Sequence, residues 1–274
     1  MGGVIIFSLF MLFMSSLLML FSGDLMMYWM LLEISTLCLV PLFFGGGGLS
    51  GLLSYLVVSS LSSILIMVGL VFSDVYLLFV FGLCVKFGLF PFIYWVYNVL
   101  VYSGSWLVCW VISILSKISL VYLVFFLWDT GLGLVSFLAV LSLLVVGLNF
   151  WVSSLNWYYV WCHMMISSSV IMFVLGLIIS MDLYIVLLVV YFVWGSGVIY
   201  YLSSVNMTVF GYVLWLLAVP LSISLYYKIY TCYLLCSSLY LLFFWFIYSF
   251  LEQYYLIKWV ISNKISKFCF LLIV

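Results

Sequence analysis

A lysine, a glycine and a proline interrupt an apolar run long enough to cross a bilayer: Lys86-Phe87-Gly88-Leu89-Phe90-Pro91-Phe92-Ile93-Tyr94-Trp95-Val96. A lysine at mid-membrane depth costs about 2.5–3.5 kcal/mol on insertion scales, so it should face a protein interior or a wet path. Pro91 has no N–H to donate and clashes with the carbonyl one turn back, while Gly88 loosens the same turn. A charge beside a broken helix, buried in protein, is how membrane proteins build ion sites at mid-depth. The competing reading is a kinked helix whose lysine snorkels to an interface.

The rest of the chain has the composition such a helix needs. Of 274 residues, 71% are hydrophobic and 4% charged. Soluble domains carry about 25% charged residues, so a soluble globular fold is excluded. Six Lys balance six acids and there is no Arg, which leaves no basic face for nucleic acid. Met1-Gly2-Gly3-Val4 leads straight into apolar sequence, with neither a basic leader nor a small-residue cleavage site. The expectation is a chain inserted as it stands or made in the compartment where it works. The bias toward Phe, Leu, Val, Tyr and Trp resembles that of organelle-encoded inner-membrane subunits.

Cysteines 38, 84, 109, 162, 232, 236 and 269 form no CxxC pair and no Cys/His ligand spacing. They read as small apolar packing residues, with no metal site expected.

Polar or small residues punctuate the chain into about eleven segments near the length of a membrane helix. The first two, about 4–21 and 25–44, part at Ser22-Gly23-Asp24, and the second carries Glu33 and Pro41. Gly45 to Gly48 form a connector, since no Gly-Lys-Ser/Thr follows to make a phosphate loop. The third, about 52–72, is studded with Ser54, Ser59, Ser60, Ser62 and Ser63. Small hydroxyl residues let membrane helices approach closely, and they could also hold water beside Glu33 and Lys86. The fourth, about 75–101, holds the broken stretch, and the fifth, about 105–128, carries Lys117 among Ser113, Ser116 and Ser119. Segments at about 132–150, 157–179 (with His163) and 183–202 follow. The ninth, about 207–230, is interrupted by Pro220 ahead of Lys228. The tenth is expected over 231–250 and a short last helix from Tyr254, with Lys258, Lys264 and Lys267 at a membrane face.

The two halves rhyme. Glu33 lies 58 residues before Pro91, and His163 lies 57 before Pro220. In each half an ionisable group precedes a proline-broken helix two segments later. Five segments per half, an odd number, would make the second half enter inverted, the arrangement of transporters with midplane sites.

Glu33, Lys86, Lys117 and Lys228 are thus the charges placed inside segments, whereas Asp24, Asp74, Asp129 and Asp182 fall at segment ends. Opposite charges about 7 Å apart at an effective dielectric near 20 attract by roughly 2.4 kcal/mol. Moving one charge across about 200 mV needs about 4–5 kcal/mol, which two or three such couplings could supply. A static structural ion pair would use the same residues.

The quoted motifs carry a family likeness. Trp29-Met30-Leu31-Leu32-Glu33, Tyr55-Leu56 followed by Ser59-Ser60-Leu61-Ser62-Ser63, Lys86-Phe87-Gly88 with Pro91-Phe92-Ile93-Tyr94-Trp95-Val96, and Ser116-Lys117-Ile118 resemble the subunit 2 family of mitochondrial NADH:ubiquinone oxidoreductase, respiratory complex I. These are its antiporter-like, proton-pumping subunits. The resemblance covers residues 25–120 closely and 145–230 thinly.

It implies an all-α polytopic membrane fold of about eleven helices. Two inverted five-helix repeats (about 1–128 and 132–250), broken at Pro91 and Pro220, would precede a C-terminal helix over 254–274, all in one transmembrane domain. It also implies roles: Glu33 and Lys86 as a charged pair, Lys117 as the central lysine of the first half, Lys228 as the lysine after the second break, and His163 near a family histidine. The implied activity is proton translocation across the mitochondrial inner membrane, coupled to electron transfer from NADH to ubiquinone. NADH, FMN, iron–sulfur clusters and ubiquinone would sit in partner subunits of the complex, with lipids as the other partners. The alternatives are a stand-alone cation/proton antiporter and a non-pumping membrane spacer.

Overall fold

In a computed structural model the described residues are 2–46, 48–117, 132–154, 156–204 and 208–262. Their regular structure is all helical, with no strand among them. In an apolar solvent each backbone N–H and C=O must be satisfied within its own segment, and a helix does this. The elements are α1 (Gly2–Phe21), α2 (Leu25–Gly46), α3 (Leu49–Val71), α4 (Tyr76–Phe87), α5 (Tyr94–Ser103), α6 (Trp106–Trp110), α7 (Leu132–Val152), α8 (Trp157–Ile178), α9 (Met181–Ser203), α10 (Val209–Trp215), α11 (Ile223–Leu235) and α12 (Leu239–Val260). Six of them, α1, α2, α3, α7, α8 and α9, are long and apolar enough to cross a membrane. The chain is therefore a multi-pass, membrane-embedded protein.

The order of elements repeats. A helix bearing an ionisable group (α2 with Glu33, α8 with His163) is followed by one unbroken helix and then by a broken pair, α4–α5 and α10–α11. The most enclosed helix is α8, whose residues from Val160 to Leu177 are all buried. It packs on α4 and α5 on one side and on α7, α9 and α11 on the other. A helix buried on every side needs neighbours all round, and here protein supplies them, including partners for its polar His163 and Ser168. By contrast α1 exposes Phe7, Phe10, Phe13 and Phe21, a surface suited to acyl chains.

The α3 serines act chiefly in packing. Ser59, Ser62 and Ser63 are buried, and their hydroxyls donate to carbonyls three residues back in their own helix rather than across it. Glycines complete the close approach of α3 and α4: a Cβ on Gly69 would strike the Phe79 backbone, and one on Gly82 would meet the Ser62 carbonyl at 3.0 Å. The α2 helix is tied to α3 by the Trp29 indole, which donates to the Ser63 carbonyl at 3.2 Å.

One boundary expected from the sequence is corrected. The tenth segment does not run over 231–250 with a new helix from Tyr254. Instead α11 stops at Leu235, and α12 runs unbroken from Leu239 to Val260 through Glu252 and Gln253. The polar pair that reads as a helix end is the middle of a helix because its side chains find buried partners. Lys264, Lys267, Cys269, Asp129 and Ser119 lie outside the described residues. Asp24, Asp74 and Asp182 are exposed at helix ends, and Lys258, also exposed, sits 5.2 Å over the Trp151 ring.

Candidate functional site

The first helix break is built by Gly88. It takes φ +71° at the end of α4, a left-handed conformation costly to any residue with a Cβ. The Gly88 N–H then reaches the Val85 carbonyl at 3.1 Å and the Leu89 N–H reaches that of Cys84 at 2.9 Å, closing the helix in the usual C-terminal manner. The Trp95 indole, from the start of α5, donates to the Val85 carbonyl at 2.8 Å. Lys86 is thereby held in the last turn of α4, where the helix dipole favours a cation.

Lys86 and Glu33 are neighbours without being a contact pair. Glu33 acts electrostatically on both Lys86 and Tyr55, yet the ion pair within 4.0 Å among the described residues is a different one. Lys86 Nζ and Glu33 Oε1 are both buried with no hydrogen-bond partner among the described residues. Such atoms cost about 1–3 kcal/mol unless water reaches them. Two cavities of about 30 Å³ flank Lys86, each with room for a water molecule. Tyr55, Lys86 and Ser116 line both, and Ser59 and Ser62 line one of them. Lys86→Met leaves the buried Glu33 oxygen without the cation that acts on it, so it should destabilise the fold by about 1–3 kcal/mol. Chemical unfolding in mixed micelles would measure it.

Beyond Ser116 the chain turns to Lys117. Here α6 passes into a wider i→i+5 turn over Val111–Leu115, a local irregularity of the kind found at functional positions in helices. Lys117 is 3% exposed. Its ammonium donates to Tyr191 Oη at 2.7 Å, Ser168 Oγ at 2.8 Å and the Met165 carbonyl at 3.2 Å. Three donors meet three acceptors, so the charge is solvated by dipoles of α8 and α9 rather than by an acid. Tyr191 in turn donates to the Ser113 carbonyl at 3.0 Å, tying α9 to the wide turn.

The second break, between Trp215 and Ile223, lacks glycine. Leu221 takes φ +73° there, an uncommon conformation for a side-chain-bearing residue. Ser222 caps α11 by accepting from the Leu225 N–H at 3.2 Å and also accepts from the Val219 N–H at 3.1 Å. Gln253 of α12 does the rest: its Oε1 accepts from the Ala218 N–H at 2.8 Å, and its Nε2 donates to the Leu216 carbonyl at 3.3 Å. The residue before it, Glu252, accepts from Lys228 Nζ at 3.0 Å in an ion pair whose members are 3% and 8% exposed.

Tyrosines bridge the two lysine sites. The Tyr191 ring lies 5.9 Å from Tyr227, whose ring stacks on Trp194 at 4.6 Å. The Tyr227 hydroxyl is buried without a hydrogen-bond partner among the described residues and feels the Glu252 carboxylate. Lys86 and Ser116 thus share two cavities, Lys117 bonds to Tyr191, the Tyr191 ring packs on Tyr227, and Lys228 pairs with Glu252.

His163 stands aside from that series. Its Nδ1 is 2.7 Å from the Tyr97 hydroxyl and its Nε2 3.4 Å from Ser153 Oγ, with Phe150 and Tyr97 rings at 5.0 and 5.2 Å. Its side chain joins α5, α7 and α8, and its ring nitrogens bond to none of the lysines.

Glu252 and Gln253 escape the sequence reading. The clue was the sixth acid: five are assigned to helix interiors or ends, and Glu252 sits within an apolar run, 239–260, that is itself one helix long. Among the described residues no group of three His, Cys, Asp or Glu side chains could hold a metal ion. Cys84, Cys109 and Cys162 are buried thiols in the apolar core. The sequence matches no protein-family model, and no curated protein is significantly similar to it.

Proposed function

We propose that this chain carries protons across a membrane through the buried series from Glu33 and Lys86, by way of Lys117, to Lys228 and Glu252. The observation that supports this reading is the placement of these lysines at interruptions of helix: Lys86 at the first break, Lys117 after the wide turn, Lys228 after the second break. Burying an amine is costly, and burying three beside helix interruptions is hard to explain as packing. In such a series an ammonium gives its proton to the next group or to a water between them, becoming a neutral amine that a new proton recharges. The hydroxyls of Ser116, Tyr191 and Tyr227 can both accept and donate, as a relay requires.

The motif resemblance takes the proposal further. The chain would be an antiporter-like membrane subunit of respiratory complex I in the mitochondrial inner membrane, with about eleven spans in two inverted five-helix repeats. The twofold order of elements supports the repeat. Energy would come from NADH oxidation and ubiquinone reduction in partner subunits that hold the cofactors.

The test is isolation from the native membrane followed by reconstitution into sealed vesicles. NADH oxidation should acidify one side. A double variant, Lys228→Met with Glu252→Leu, removes both charges of the pair together, so neither is left orphaned. It should lower protons moved per electron while leaving electron transfer running. Purification as a single chain that exchanges cations for protons without redox partners would establish the stand-alone antiporter instead. An unchanged proton-to-electron ratio in an assembled complex would establish the spacer.

A further inference from the structure

We infer that Gln253 is a positioning residue that ties the charge state of the Lys228–Glu252 pair to the shape of the second helix break. The inference rests on the proton-carrying reading for its purpose, though its geometry is independent of it. One primary amide makes three bonds: Ala218 N–H to Oε1 at 2.8 Å, Nε2 to the Leu216 carbonyl at 3.3 Å, and Nε2 to Glu252 Oε1 at 3.3 Å. The same carboxylate oxygen takes the Lys228 ammonium at 3.0 Å. Glu252 Oε1 is therefore shared between the charge that would move and the amide that holds the break open.

Few other side chains hold the break, and none of them is bonded to a charge. Pro220 cannot donate, Leu221 sits at φ +73°, and α10 before it spans only Val209–Trp215. Its other side-chain ties are the Trp194 indole of α9, which donates to the Trp215 carbonyl at 3.2 Å where the break begins, and two short-range bonds, from the Val219 N–H to Ser222 and from Ser224 to the Leu217 carbonyl at 2.6 Å. A hydrogen bond to a carboxylate is stronger than one to a neutral acceptor. When Glu252 loses its charge, or swings to follow a departing Lys228, the Nε2 bond weakens and the grip on Leu216 and Ala218 slackens with it. The first break is tied differently: the Trp95 indole that reaches back across it bonds to a backbone carbonyl, not to a charge.

The experiment is amide hydrogen exchange on the full chain in nanodiscs, read over 216–222. Glu252→Gln, which keeps size and an acceptor but removes the charge, should speed exchange of that segment about tenfold. Gln253→Leu should speed it by as much or more. The decisive measurement is the double variant, read against α8 as a control for global stability: once Gln253→Leu is in place, Glu252→Gln should speed 216–222 no more than it speeds α8, where stranding Lys228 acts through overall stability alone. An excess effect on 216–222 that persists in the Gln253→Leu background, or that is absent from the wild-type background, overturns the inference. Proton transport is then read separately. Coupled exchange with transport unaltered by Gln253→Leu would leave the clamp standing and remove its role in moving protons.

Discussion

Glu252→Leu will destabilise the folded chain by about 3–5 kcal/mol, and adding Lys228→Met will return most of that loss. The reason lies in what each single change leaves behind. Lys228 reaches Glu252 at 3.0 Å in an interior where both are nearly sealed. Leucine at 252 fills the space but strands a buried ammonium, with no other acid among the described residues near enough to pair. Removing the amine as well replaces a charged pair by apolar groups of similar volume, which is close to neutral. Chemical unfolding of the four members of the double-mutant cycle in mixed micelles measures the coupling directly. Additive single effects would show that the pair is not the buried unit described above.

If the proposed proton route is right, Lys117→Met will slow transfer along it about a hundredfold or more while the chain still folds. Methionine matches the aliphatic stem of lysine and can lie against Tyr191 as the ammonium does now, 4.2 Å from the ring centre. The groups left behind keep bonds of their own: Ser168 donates to the Met165 carbonyl at 2.7 Å and Tyr191 to that of Ser113 at 3.0 Å. Assembly should therefore survive. Transport should not, because the series then loses the amine that stands between the Lys86 cavities and Tyr191. Proton flux in reconstituted vesicles, set against thermal stability of the same preparation, separates the two. Wild-type flux from a folded Lys117→Met variant would exclude Lys117 from the path.

These expectations differ in how far the sequence alone supports them. Lys86, Gly88 and Pro91 announce a break because their effect is local: a missing N–H and a left-handed residue act within one turn. Lys117 and Lys228 stand out as charges inside apolar runs for the same reason. Glu252 does not, since a polar pair near the end of an apolar stretch looks the same whether it meets water or a buried lysine. Its meaning depends on Lys228, 24 residues away and on another helix. His163 shows another limit: its spacing to Pro220 marks it as the ionisable group of the second half, and only the fold shows that its ring meets Tyr97 and Ser153.

Composition and punctuation by themselves made this a helical membrane chain with an interruption at Gly88 and Pro91, because lipid forbids unpaired backbone and a left-handed glycine beside a proline ends a helix, whereas Pro41 alone leaves α2 continuous. Which charges face one another, which helix is sealed in the centre, and what holds the second break in place were decided only by packing. Those outcomes depend on side chains brought together across helices, and linear spacing carries no record of such distances.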